Sequence, residues 1–172
     1  MGLDMSLTAK KYVSRIDWRE VPDRLPEEAT FDDYVSSECK DIEEMFPKEF
    51  SKYSETGAEL AMNVASWRKA NAIHGWFVRN IQNGEDDCKE YYVHQDQLRR
   101  LLDNVNQVLD GDRELAEKLL PTTSGFFFGN QDYDEYYYDT LRHTKKVLTN
   151  ILSVLDEQED YTTYDFYYSS SW

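Results

Sequence analysis

The stretch AELAMNVASWRKANAIHGWFVRNIQ, residues 58–82, is the part of the chain whose reading decides the fold. Wound at 100° per residue, it places Leu60, Val64, Trp67, Val78 and Ile81 on one stripe, with Asn71 and His74 in the middle of that stripe. Ala65, Ala72 and Trp76 fall opposite, with Met62 and Ile73 nearby, and Arg68, Arg79 and Gln82 form a narrow polar edge. The spacing predicts one long helix, apolar on two sides and sandwiched between neighbours. Thr56 with Glu59 three positions on reads as a capping box. Asn83-Gly84 reads as a helix stop.

Outward from this segment, Leu3, Met5 and Leu7 alternate with polar residues, which predicts a strand. Pro22 and Pro26 mark residues 17–30 as a loop. The acidic stretch 31–53 reads as short helices broken at Pro47, with Phe31, Tyr34, Ile42, Met45 and Phe46 facing inward. Tyr91 to Val93 reads as a short strand, 95–109 as a helix, and Leu115, Leu119 and Leu120 mark a shorter helix ending at Pro121. The glycine-bounded Phe run of 124–129 reads as a strand or tight loop, and 132–156 as a long helix. The aromatic tail from Tyr164 reads as a last strand. The expected fold is α+β, in a single domain of residues 1–172: a helical layer with a long buried central helix, packed on a small sheet that pairs the chain termini.

The 172 residues carry a formal net charge of −15. That excess of acid argues against direct nucleic-acid binding and against anionic membranes. No apolar run is long enough for a membrane span, and the N-terminus lacks the pattern of an export signal. Two cysteines without such a signal read as reduced thiols, so the expected location is cytoplasmic. Histidines and cysteines show no metal-ligand spacing, and no cofactor is expected.

The candidate ligand-binding residues are Trp67, Arg68, Asn71 and His74 on the central segment, with Phe127 and Tyr137 from the aromatic concentrations downstream. A Trp ring stacks a flat ligand, while Arg, Asn and His hold its polar edges, with Arg68 or Lys69 at the rim. The same Asn71 and His74 are equally read as core polar groups bonded to a neighbouring strand or to tyrosine hydroxyls. Glu85, Asp86 and Asp87 follow a helix C-terminus, the unfavourable end for carboxylates, and so invite a cationic partner.

Met1-Gly2-Leu3-Asp4-Met5, the segment from Trp67 to Phe77, the Asn83-to-Cys88 turn, the Ser124-to-Gly129 segment and the terminal Ser170-Ser171-Trp172 together give the chain a likeness. It resembles a family of small acidic proteins from tailed bacteriophages and prophages. The resemblance implies an origin and a setting, the host cell, and no particular reaction. Small phage accessory proteins blunt bacterial defences by sequestering nucleotide signals or by blocking host proteins.

Three functions follow as expectations. The first is non-enzymatic counter-defence, by binding a small nucleotide-like ligand or immune signal in the aromatic/Arg/Asn/His pocket. The second is an acidic inhibitor that occupies a basic, nucleic-acid-binding surface of a host protein. The third is a metal-dependent phosphoesterase using His74 and the acids after it. Surplus aromatics make a homodimer compatible with each.

Overall fold

The computed structural model describes residues 2–46, 57–125, 127–157 and 164–172. Along them lie β1 (Asp4–Ser14), a 3-10 turn (Phe31–Tyr34), α1 (Ser37–Glu43), β2 (Gly57–Arg68) and α2 (Asn71–Asn80). There follow β3 (Tyr91–Val93), α3 (Gln95–Asp110), α4 (Arg113–Leu119), α5 (Glu135–Asp156) and β4 (Asp165–Ser171). The strands form one antiparallel sheet in the order β2-β1-β4-β3, so the first and last strands of the chain lie side by side. The fold is α+β with its terminal strands paired, as the sequence predicts.

β1 follows its alternation: Met5, Leu7 and Ala9 are buried while Asp4 is exposed and Ser6 and Thr8 are half-buried. The pairing of β3 with β4 sets Tyr91 against Tyr168 and Val93 against Phe166, bringing Val93, Phe166 and Tyr168 into the core.

The segment 58–82 departs from its reading. It is a strand, a two-residue turn and a helix, rather than one long helix. Ala, Glu, Leu and Met are good helix formers locally, so propensity favoured the helix. Strand formation is decided instead by pairing and packing against neighbours, and β2 lies along β1. The buried residues Ala65 and Trp67 are two apart, the period of a strand, whereas Leu60 and Met62 are 45% and 68% exposed. Lys69 then adopts a positive φ of 53°, where no α-helix continues, and its N–H bonds the Leu3 carbonyl at 2.7 Å. Glu59 lies within β2, so no capping box forms there, and Thr56 lies outside the described residues. The stop is as read: Asn83 and Gly84 have positive φ, and the Gly84 N–H reaches back to the Val78 carbonyl at 2.8 Å.

The chain divides into two compact units, Met1–Ala9 with Met62–Trp172, and Lys10–Ala61. The first unit's core draws Leu3 from just before β1, Met5 and Leu7 from β1, Ile73, Trp76 and Phe77 from α2, Leu98 and Leu101 from α3, and Leu141, Leu148 and Leu152 from α5. Phe77 stacks flat on Tyr168, with ring centroids 3.9 Å apart and planes within 8°. The second unit has a small core of Val13, Cys39 and Ile42, with Val35 and Ala58 against it. Seven-residue α1 offers one inward stripe, and Cys39 and Ile42 fill it. Phe31, Met45 and Phe46, expected inside, are therefore exposed.

Close backbone approach fixes one contact in the first unit. A Cβ added to Gly75 of α2 would lie 2.1 Å from the Thr123 hydroxyl oxygen. Gly75→Ala is expected to lower stability by about 1–3 kcal/mol, despite the better helix propensity of alanine. Chemical denaturation of the single and double variants checks this: Thr123→Ala added to Gly75→Ala restores most of the loss, whereas an unchanged midpoint for Gly75→Ala alone contradicts the contact.

Candidate ligand-binding recess

Asn71 is the first residue of α2 and is buried. Its amide nitrogen donates to the carbonyls of Phe128 (3.1 Å) and Asn130 (2.8 Å), and its amide oxygen accepts from the Thr123 N–H (3.2 Å). One side chain thus holds both arms of the loop between α4 and α5. That loop is a tight turn and not a strand: the Phe128 N–H bonds the Gly125 carbonyl at 3.2 Å, and Phe128 is buried. Asp134 caps α5 through the Tyr137 N–H (3.0 Å) and also receives the Asn130 amide (3.0 Å).

Between the head of α2, this loop and the first turns of α5 lies a half-enclosed recess of about 280 Å³. Ala70, Ala72, Leu141 and the rings of Tyr136 and Tyr137 give it mostly apolar walls, and Thr122, Asn130, Thr140, Lys69 and Asp132 give it polar points. Tyr136 is fixed by donating its hydroxyl to the Arg68 carbonyl (2.5 Å), and Tyr137 by donating to the Leu120 carbonyl (3.0 Å). Burial, then the neighbouring Tyr133 and Tyr138, push the Tyr137 hydroxyl well above the usual tyrosine range, so it stays a proton donor. Lys69 is exposed and makes no ion pair with any described residue. Its left-handed backbone is a strained conformation for a non-glycine residue, and a Cβ added at neighbouring Gly129 would lie 3.4 Å from the Lys69 Cβ.

Of the six residues singled out in the sequence, Asn71 and Tyr137 line this recess. Trp67 and Arg68 line a separate, shallower polar concavity with Ser6, Asn63, Ser66, Cys88 and Ser169. The Trp67 indole is buried and donates to the Thr144 hydroxyl at 2.9 Å. Arg68 is exposed and pairs loosely with Asp4 at 3.8 Å. Phe127 is half-buried and accepts the Leu3 N–H through its carbonyl at 3.3 Å. Lys69, Tyr136, Asn130 and Thr140 belong to the recess but not to that set. Charge places Lys69 at a rim and Tyr136 belongs to the aromatic concentration of the last helix, whereas Asn130 and Thr140 carry no local signal; Asn130 sits on the loop that Asn71 holds and Thr140 on α5.

His74 is wholly buried and bonded at both nitrogens, to the Tyr168 hydroxyl (2.7 Å) and to Asp86 (2.9 Å). A proton on Nε2 donates to Asp86, while Nδ1 accepts from Tyr168. The other Asp86 oxygen receives the Trp172 indole N–H at 3.0 Å. The chain of bonds ties β4 and the terminal residue to α2. Burial, then the charge of Asp86, raise Tyr168 well above the usual tyrosine range. Asp87 is answered by Lys89 at 2.6 Å and by the Tyr91 hydroxyl at 3.1 Å. Asp86 and Asp87 therefore meet protein partners, and no group of three or more His, Cys, Asp or Glu side chains suited to a metal is found among the described residues. Among those residues, no helix is long and apolar enough to cross a membrane.

No protein-family model, curated protein or solved structure matches the chain.

Two outcomes are expected. Asn71→Ala orphans the Thr123 N–H and the Phe128 and Asn130 carbonyls, and thermal or chemical unfolding is expected to show a loss of about 2–4 kcal/mol. A loss below about 0.5 kcal/mol, the size of an ordinary surface substitution, contradicts the clamp. The Asp134 carboxyl is held below its usual range, first by the Asn130 amide and then by backbone N–H groups. A carboxyl lowered in the folded state stabilises above its unfolded pKa of about 4 and loses that effect as the pH falls through the lowered value. Asp134→Ala is expected to be less stable than the parent at neutral pH, with the gap closing in strong acid. A gap that does not depend on pH contradicts the assignment.

Proposed function

We propose that the protein is a non-enzymatic binder of a small, flat, anionic ligand of nucleotide type, held in the recess between α2 and α5. The recess itself carries this reading. Its size, about 280 Å³, lies at the lower edge of the roughly 300–1,000 Å³ of drug-sized sites, so it takes one ring system with a short substituent. The Tyr136 and Tyr137 rings and Leu141 suit a flat apolar body, and the Lys69 ammonium, with no acidic partner in ion-pair range among the described residues, suits an anionic group.

The net charge of −15 repels anions at long range. At physiological salt that field is screened beyond about 8 Å, which leaves Lys69 as the local attraction. Asp132 on the same rim disfavours a second negative charge, so a monoanionic ligand fits better than a polyphosphate. The resemblance of the sequence to tailed-phage proteins supports a role in the infected host's cytoplasm, where sequestering a nucleotide-type signal blunts a defence. No step of bond making or breaking is assigned to the site.

The test is calorimetry with nucleoside 5′-monophosphates, nucleoside cyclic monophosphates and the free nucleosides. At least one phosphorylated compound is expected to bind at micromolar strength or better, with Lys69→Ala weakening it about tenfold and Trp67→Phe leaving it unchanged. No saturable binding across the panel, or binding equally strong in Lys69→Ala, sinks the proposal.

A further inference from the structure

The irregular segment 17–30 of the second unit joins β1 to the 3-10 turn, and its length is itself uncommon for a connection without secondary structure. At its two ends stand Trp18, 61% exposed, and Phe31, 47% exposed. Their rings meet at 5.6 Å with planes tilted by 58°, so the pair presents a preformed aromatic surface to solvent. Along the segment the charges divide sharply. Asp17 is held by Arg19, Asp32 by Arg15, and Asp33 by the Thr30 N–H. Glu20, Asp23, Glu27 and Glu28 are exposed and make no ion pair with any described residue, against one such cation on the segment, Arg24.

We propose that this surface docks a partner protein through an arginine-rich segment, one guanidinium lying on the exposed Trp18 ring and others meeting the exposed carboxylates of Glu20, Asp23, Glu27 and Glu28 along the same segment. Tryptophan gives the strongest cation–π contact, and it is among the residue types that dominate interface energies. Arginine suits the site better than lysine, because its flat, weakly hydrated guanidinium both stacks on an indole and forks onto a carboxylate. The overall charge of −15 steers a basic partner toward the surface and repels a second copy of the chain or a nucleic acid. The docking surface is separate from the ligand recess and does not rest on it.

The full-length protein is titrated by calorimetry with an oligo-arginine peptide and an oligo-lysine peptide of equal length, at low and at physiological salt. The parent is compared with Trp18→Ala, with Phe31→Ala and with the combined variant Glu20→Gln/Asp23→Asn/Glu27→Gln/Glu28→Gln. Both aromatic residues are largely exposed, so their variants are expected to keep the parent's melting temperature. The arginine peptide is expected to bind more tightly than the lysine peptide, to weaken about tenfold in Trp18→Ala and several-fold in Phe31→Ala, and to lose most of its salt dependence in the combined variant. Equal affinity of parent and Trp18→Ala overturns the proposal, since diffuse charge then accounts for binding. So does the absence of saturable binding at low salt. Sedimentation that shows a dimer split by Trp18→Ala overturns it as well, and assigns the surface to a second copy of the chain.

Discussion

The first unit's site depends on one buried amide. Asn71 sits where β2 has turned into α2, and its three hydrogen bonds take up backbone groups from Thr123, Phe128 and Asn130. Loops carry polar backbone that must be satisfied somewhere, and here the buried Asn71 amide satisfies it for a buried residue, Phe128, and for the less buried Thr123 and Asn130. Replacing the amide by a group of the same shape without both donors and acceptor leaves at least one of them unpaired. The recess exists because the loop is held open against the first turns of α5 in this way, and Gly75, pressed against Thr123, prevents any bulk from wedging the two apart.

His74 has the same origin in the sequence and a different outcome. Both residues stand out as polar groups in an apolar stripe. In the structure each is fully bonded, but Asn71 also borders open space, whereas His74 is enclosed between Tyr168 and Asp86 with 0% exposure. Its part is to tie the last strand to α2, with Trp172 closing the chain of bonds through Asp86. The core-polar reading and the pocket reading thus fall on different residues: His74 takes the first, and Asn71 takes both.

The class of the fold was legible because its signals are periodic. Alternation in Leu3 to Leu7, helical spacing in 95–109 and 132–156, and the Asn83-Gly84 stop each state a local geometry that tertiary packing reinforces. The strand in Gly57–Arg68 was not legible, because Glu59 to Met62 are helix formers whose exposed positions give no buried face to read. Only the neighbouring β1 makes that stretch a strand. The recess was half legible for a similar reason. Asn71 and Tyr137 announce themselves by type and spacing, but Asn130, Tyr136 and Thr140 become neighbours of Lys69 only once the loop is clamped. Trp67 and Arg68, adjacent to Lys69 in sequence, belong to β2 and line the other concavity instead, since the chain bends at Lys69 and Ala70 before α2 begins.

The two proposals meet the acidity of the chain in opposite ways: an anion in the recess would have to overcome the field, and a basic partner at the exposed Trp18–Phe31 pair would use it. The recess makes the sharper claim, because its residues come from four stretches of sequence and would shift together only if a ligand sits among them. The direct measurement is a two-dimensional amide spectrum of isotope-labelled protein, recorded through a titration with nucleoside cyclic monophosphates, which carry a single negative charge. The account expects shifts confined to residues 69–72, 122, 129–132 and 136–141, saturating with a single binding constant. Shifts that cluster instead around Asn63, Ser66, Arg68 and Ser169, or that spread without saturation, would contradict it.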